Sequence, residues 1–305
     1  MTSQPDMSSP SDTTRPLNLA SPMPFLVGAF GILLLSVMDA LIKGVATQHP
    51  TSQIVFMRFA CGLPWAILAL FVLKPPPPDR AMVRAHVLRG LLVVFTAGLF
   101  FYALAKLELA EAITLAFLSP LFLALLAALI LKEPIPPAVL IAIVIGFVGM
   151  AVIVAGKVGG GALDLGRMLG IGAAILSAVF YAANLVLLRK RAQTDALGLI
   201  VLFQNLFPML MIAPFAFLVW ETPEPRAWLI FAGIGLVGLG GHLCMAWAFA
   251  RAHAGPLGVL EYTALVWGSA IGYLAFGEVP SWTTWAGAAL IIAACLAVAR
   301  RHARQ

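Results

Sequence analysis

Few ionisable side chains interrupt the long apolar runs of this chain, and those few could do chemistry. Glu261 follows Gly255-Pro256 and shares a helical stripe with Leu265, Gly268 and Gly272. Gly268 and Gly272 form a small-xxx-small step that lets helices approach closely. Glu261 should therefore face protein or a cavity, where it could bind a cation, exchange a proton, or lock two helices by a hydrogen bond. Asp39 and Lys43 stand four apart, a spacing that pairs opposite charges along one helix face. Either they neutralise each other, or Asp39 trades partners with Arg58 during gating. Arg58, deep in its own apolar run, needs an acid or helix-end carbonyls as acceptor. Glu111 opens another run, where the helix dipole favours a carboxylate and capping is the expected role. His242 could act as a pH-sensitive switch or simply pack.

Aromatic and amide side chains extend the set. Phe101 and Tyr102 (with Phe100 beside them), Trp247, Tyr262 and Trp267 could stack on a flat or cationic ligand. Each could equally face lipid or a neighbouring helix. Asn184, Gln204 and Asn205 offer neutral hydrogen-bonding groups. Catalytic signatures are missing. Gly233 to Gly238 spells GxGxxG, but without a preceding strand or downstream acid it reads as helix packing. No GxxxxGK[ST], HExxH or GxSxG occurs. Cys61, Cys244 and Cys295 lack ligand spacing and read as small apolar residues. No metal, cofactor or enzymatic activity is expected.

The elements that must position these residues follow from composition. Of 305 residues, 62% are hydrophobic and 10% are charged; soluble domains carry about 25% charged residues. That excludes an ordinary soluble enzyme, and the bilayer is the natural solvent. Apolar runs of spanning length recur at 24–44, 52–73, 86–105, 110–131, 137–156, 168–188, 197–219, 227–249, 256–276 and 283–299. The fold class is therefore all-α integral membrane, with ten transmembrane helices. Residues 1–23 form a Ser/Thr/Pro-rich tail expected to be disordered, and the first run is too long for a signal peptide's apolar core. The net charge of +6 distributes unevenly. If the termini share the cytoplasmic side, 13 Lys and Arg fall there, while Lys106, Lys157, Arg167 and Arg226 fall opposite. The positive-inside rule thus places both termini in the cytoplasm and explains the basic tail 300–305 without nucleic acid. Spans five and ten lack ionisable residues and can face lipid all round.

The second half echoes the first. A shift of 145 carries Phe101-Tyr102-Ala103-Leu104-Ala105 onto Ala246-Trp247-Ala248-Phe249-Ala250, and Leu131-Lys132-Glu133 onto Phe276-Gly277-Glu278. Repeats 24–156 and 168–299, joined by a linker at 157–167, hold five spans each. An odd number turns the second copy upside down, an arrangement common in secondary transporters.

These residues carry a resemblance. Arg58-Phe59, Arg89-Gly90, Ala110-Glu111-Ala112, Phe117-Leu118-Ser119-Pro120-Leu121-Phe122 and Leu131-Lys132-Glu133-Pro134, with Gly277-Glu278 and Trp285-Ala286-Gly287, resemble the drug/metabolite transporter superfamily, in its ten-span branch with two EamA-type repeats. The second repeat departs from the pattern, with Ala264-Leu265 where a Ser-Pro step would stand. The resemblance implies a carrier of small organic metabolites in the bacterial inner membrane. Amino-acid-like, S-adenosylmethionine-like and vitamin substrates such as riboflavin, and export of metallophores, all stay open. So do the coupling ion, the direction and the oligomeric state.

Overall fold

The computed structural model describes residues 23–131, 137–158, 165–191, 195–249 and 262–302. Among them the chain is helical, in eleven segments: α1 (Met23–Val45), α2 (Thr51–Leu73), α3 (Arg80–Lys106), α4 (Leu109–Ala116), α5 (Ser119–Leu131), α6 (Pro137–Val158), α7 (Leu165–Arg191), α8 (Leu197–Leu218), α9 (Pro225–Phe249), α10 (Thr263–Phe276) and α11 (Trp282–His302). Six of them, α1, α2, α3, α7, α8 and α9, are long and apolar enough to cross a membrane, and shorter apolar helices accompany them. Large apolar side chains such as Leu26, Phe71, Leu218, Leu229 and Leu274 point outward. Water would penalise such a surface; hydrocarbon does not. The protein is an all-α membrane protein.

Two elements differ from the expected spans. The third begins at Arg80, not at residue 86, because Asp79 caps it: the Met82 amide donates to Asp79 Oδ1 at 2.6 Å. The fourth is broken into α4 and α5 by a tight turn at Phe117-Leu118. Pro120 contributes to the break, since it has no N–H to donate to the Ala116 carbonyl and sits in the first turn of α5, where none is needed. The turn closes through Leu118 N to the Leu115 carbonyl and Leu121 N to the Leu118 carbonyl.

Helix pairs come in exchanged sets. The main partnerships are α1 with α9, α3 with α7, α2 with α8, and α6 with α11. Exchanging α1 with α7, α2 with α8, and α3 with α9 turns the first pair into the second, and turns the α2–α9 seam into the α8–α3 seam. The α5–α7 contact has its counterpart in α10–α1. Chemically dissimilar halves thus adopt one packing scheme.

Close approach depends on small residues. A Cβ on Gly235 would lie 2.4 Å from the Cys61 carbonyl carbon, so α9 meets the α2 backbone there. The GxGxxG-like run is a helix seam, as its setting implied. Gly235→Ala is expected to force the helices apart and destabilise the protein by about 1–3 kcal/mol, the usual range for overpacking, read as a lower melting temperature in detergent. Spans five and ten do not face lipid on all sides. α6 and α11 cross at Gly149 and Gly287, where each Cβ would strike the other's carbonyl oxygen, and Ile153 and Ile291 are buried beside them. Their featureless composition hid this face, because in a bilayer small residues, not polarity, mark a helix contact.

Candidate functional site

The charged residues are sorted by depth. Arg58 lies about 10 Å along α2 from its start, and its Nη2 donates to His242 Nε2 of α9 at 3.0 Å. A guanidinium can only donate, so Nε2 must be the bare nitrogen and the ring proton sits on Nδ1. The guanidinium also lies over the Phe59 ring, 4.4 Å from its centroid. Among the described residues Arg58 thus finds neither an acid nor a helix-end carbonyl as its hydrogen-bond acceptor, but a neutral histidine. Asp39 of α1 is half-buried. Sequence spacing alone could not bring Arg58 and His242 together across 184 positions.

Asp39 and Lys43 do not pair. Lys43 Nζ instead meets Glu278 Oε1 at 2.8 Å and donates to the carbonyls of Leu104 and Leu107. The i,i+4 spacing permits an ion pair, but it competes here with a carboxylate and two free carbonyls at the end of α3. Three acceptors in a desolvated corner outweigh one on the same helix face. Glu278 does a second job: its Oε2 accepts the Leu109 amide at 2.8 Å and so caps α4. Capping had been expected of Glu111. That residue sits in the first turn of α4 but is fully buried, and its Oε2 accepts from Arg167 Nη2 of α7 at 2.6 Å. At this first-turn position it forms a buried ion pair. Gln53 and Glu221 exchange two hydrogen bonds at the same end of the bundle.

The opposite end has its own network. Arg89 Nε donates to Asn184 Oδ1 at 3.1 Å, and Arg89 Nη1 meets His86 Nδ1 at 3.0 Å. His86 Nδ1 must then accept, which leaves Nε2–H to donate to Asp195 Oδ2 at 3.0 Å. Arg191 approaches the same carboxylate at 3.5 Å. This network ties α3 to α7 and to the segment before α8. His86, Asp195, Arg167 and Glu278 were not singled out from sequence as site residues. The His86/Arg89 spacing of three was the available signal; the partners lie too far along the chain to be read.

Other candidates disperse. Phe101 is buried in the central cluster. Tyr102, with Lys106 over its ring at 6.0 Å, borders a small apolar crevice with Met168 and Leu176. Asn205 lies against Gly62 in the α2–α8 seam, and its Nδ2 donates to the Val201 carbonyl. Tyr262 meets Phe117 edge-on at 5.3 Å. Trp247 is half-buried near the end of α9. Glu261 lies outside the described residues, but its stripe behaves as expected: Leu265, Gly268 and Gly272 are buried, with Gly268 against Ile113 and Gly272 against Leu109 of α4. Cys61 and Cys244 are free thiols, half-buried rather than fully enclosed. Among the described residues no cluster of His, Cys, Asp and Glu could hold a metal. A cleft of about 840 Å³ opens at the Lys43 end, walled by Val37, Leu41, Ile230 and Phe276 and rimmed by His49, Glu221 and Arg226. Asp39, Arg58 and His242 are not among its described walls.

This arrangement can hold charge inside a bundle and tie its two ends by separate ionic contacts. Known proteins resemble the chain. The chain is 30% identical to the pseudopaline exporter CntI of Pseudomonas aeruginosa over 271 residues, 87% of this chain and 92% of that one. It is 27% identical to a riboflavin transporter of Vibrio cholerae, over 88% and 91% of the two chains. A solved crystal structure superposes with a TM-score of 0.62 at 26% identity, covering 92% of this chain and 98% of the other. The sequence profile of the EamA-like transporter family matches twice, at residues 23–155 and 168–300. The chain belongs to the EamA-like transporter family.

Proposed function

We propose that this protein is a secondary carrier working by alternating access, with ten spans in two inverted five-helix repeats, 24–156 and 168–299, in a bacterial inner membrane with both termini cytoplasmic. The observation that carries the reading is the Arg58–His242 hydrogen bond. It joins α2 of the first copy to α9 of the second, inside the bundle, where carriers of this architecture bind their cargo between repeats. The exchanged helix pairs support a repeat-related pair of halves. The ties at each end supply contacts that can break in turn, the ion pairs Lys43–Glu278 and Glu111–Arg167 at one end and the His86–Asp195 hydrogen bond at the other.

The cargo is a small organic metabolite: amino-acid-like, S-adenosylmethionine-like, or a vitamin. Similarity to a riboflavin transporter favours the vitamin. Similarity to a pseudopaline exporter favours a second reading, metabolite or metallophore export. Glu261 is the proposed coupling residue, exchanging a proton or ion as the halves rock. An intramembrane enzyme lacks a supporting constellation among the residues named here.

The test is flux into sealed liposomes carrying the purified protein. Saturable uptake of one chemical class, dependent on an imposed pH gradient, is expected. Glu261→Gln should abolish the pH dependence while leaving the protein folded. Non-saturable flux would indicate a channel, and chemical conversion of the cargo an enzyme.

A further inference from the structure

We propose that the crevice between α3 and α7 binds a phospholipid of net negative charge, with an acyl chain in the crevice and the head-group phosphate at Lys106. Such a site stands apart from the carrier reading and does not depend on it. The crevice measures about 330 Å³, and its walls are apolar: Leu99 and Tyr102 of α3, with Met168, Leu169, Gly172 and Leu176 of α7. Met168, Leu169 and Leu176 are each about half exposed, so the opening faces outward from the bundle, and in a bilayer that is lipid. A Cβ on Gly172 would meet nothing within 4 Å, so the space is open where this wall carries no side chain. The α7 wall extends from beside Arg167 down to Leu176, about 14 Å of helix. One leaflet of the hydrocarbon core is about 15 Å deep, half of the whole. Below Leu176 the seam closes, where Ser177 Oγ donates to the Thr96 carbonyl at 2.8 Å and Phe95 stacks on Phe180 at 5.0 Å. The crevice thus starts at one end of the bundle and stops near mid-membrane, as an acyl chain does.

The mouth supplies the head-group contact. Lys106 Nζ lies 6.0 Å from the centroid of the Tyr102 ring, itself part of the wall. Lys106 is exposed and forms no ion pair among the described residues. Glu108, two residues on, has its Oε2 buried. Arg167 stands next to Met168 at the top of the other wall. Gly170, one turn further, packs against Lys106, where an added Cβ would come within 2.8 Å of the Lys106 Cβ. The opening is therefore flanked by two of the four Lys and Arg that fall on this side of the chain. Arg167 is neutralised by Glu111, which leaves Lys106 as the uncompensated charge. A basic side chain at head-group level attracts anionic lipid, and a long Lys stem reaches that level by snorkelling. A soluble anion would meet the ammonium but gain nothing from apolar walls. A neutral lipid would fill the walls and ignore the ammonium. An anionic phospholipid uses both. With both termini cytoplasmic, as proposed, the mouth opens to the outer leaflet.

The experiment is the melting temperature of the detergent-purified full chain in mixed micelles with palmitoyl-oleoyl phosphatidylglycerol. It is set against phosphatidylcholine with the same chains, and against glycerol 3-phosphate, which has the charge but no chain. Phosphatidylglycerol is expected to raise the melting temperature with concentration. Phosphatidylcholine should need about fivefold more lipid for the same rise, the effect of one basic residue at an anionic head group. Glycerol 3-phosphate should do nothing. Lys106→Gln should remove the preference between the lipids, and Lys106→Glu should reverse it. Arg226→Gln, which removes an exposed cation on the same side, should leave it unchanged. Gly172→Leu fills the open space, suits a helix better than glycine, and should abolish the response to both lipids. If it does not fold, Leu176→Trp, filling the crevice from its half-exposed lower wall, should do the same. An equal response to the two lipids in the wild type would overturn the proposal. Stabilisation by glycerol 3-phosphate would do so as well, by making the site one for a soluble anion. So would a preference that survives Lys106→Gln, or a lipid response that survives filling of the crevice. None of these readouts needs transport, so the carrier reading stands or falls separately on flux.

Discussion

Arg167→Met is expected to destabilise the protein by about 2–4 kcal/mol. The substitution keeps apolar volume but removes the guanidinium that meets Glu111 Oε2 at 2.6 Å. Glu111 is fully buried, and a buried carboxylate deprived of its cation costs several kcal/mol. Arg167 is 29% exposed on its side chain, so solvent reaches one side of the pair and lowers the figure below that for a fully enclosed bridge. Replacing both partners should cost less than replacing one, because Glu111→Gln leaves no ionised group to strand. The check is a double-mutant cycle on melting temperature with Arg167→Met, Glu111→Gln and the double variant. Independent, additive effects would mean that the 2.6 Å contact carries no coupling energy.

Glu278→Ala is expected to be comparably severe, at about 3 kcal/mol, for two reasons that a second substitution separates. Its carboxylate neutralises Lys43 at 2.8 Å and also caps the Leu109 amide at 2.8 Å. Glu278→Gln retains an oxygen acceptor for Leu109 but loses the charge, so it should fall between wild type and Ala. A lost N-cap costs about 1 kcal/mol, and loss of the counter-charge to a Lys43 only 13% exposed accounts for the rest. Equal melting temperatures for the Gln and Ala variants would assign the whole effect to the ion pair. Both predictions concern the same end of the bundle, where α1, α4, α7 and the α10–α11 turn are drawn together by charge. Under the proposed alternating-access cycle this end must open, so these variants should also alter flux rates.

Much of the architecture is legible in the sequence. The apolar runs, the turns between them and the repeat all depend on short-range signals, whereas the break before Pro120 interrupts a run, 110–131, that reads as one continuous span. A span is recognised by length and composition, and a proline acts on its own helix. The packing of Gly268 and Gly272 was foreseen for the same reason, because two small residues four apart mark one helix face whatever lies opposite. The featureless α6 and α11 were misjudged because their contact residues, Gly149 and Gly287, differ from their lipid-facing neighbours only in size.

The candidate site divides along the same line. Sequence by itself determined which side chains could matter, since an ionisable group in an apolar run is conspicuous and costly. Asp39, Lys43, Arg58, Glu111 and His242 were all visible in that way. Tertiary structure alone decided their partners. Lys43 chose Glu278 over Asp39, Glu111 in the first turn of α4 met Arg167, and Arg58 met His242. Periodicity along one helix ranks neighbours three and four residues apart. In a desolvated bundle the stronger partner is whichever group on another helix offers more acceptors and excludes more water, and that is a property of how helices cross.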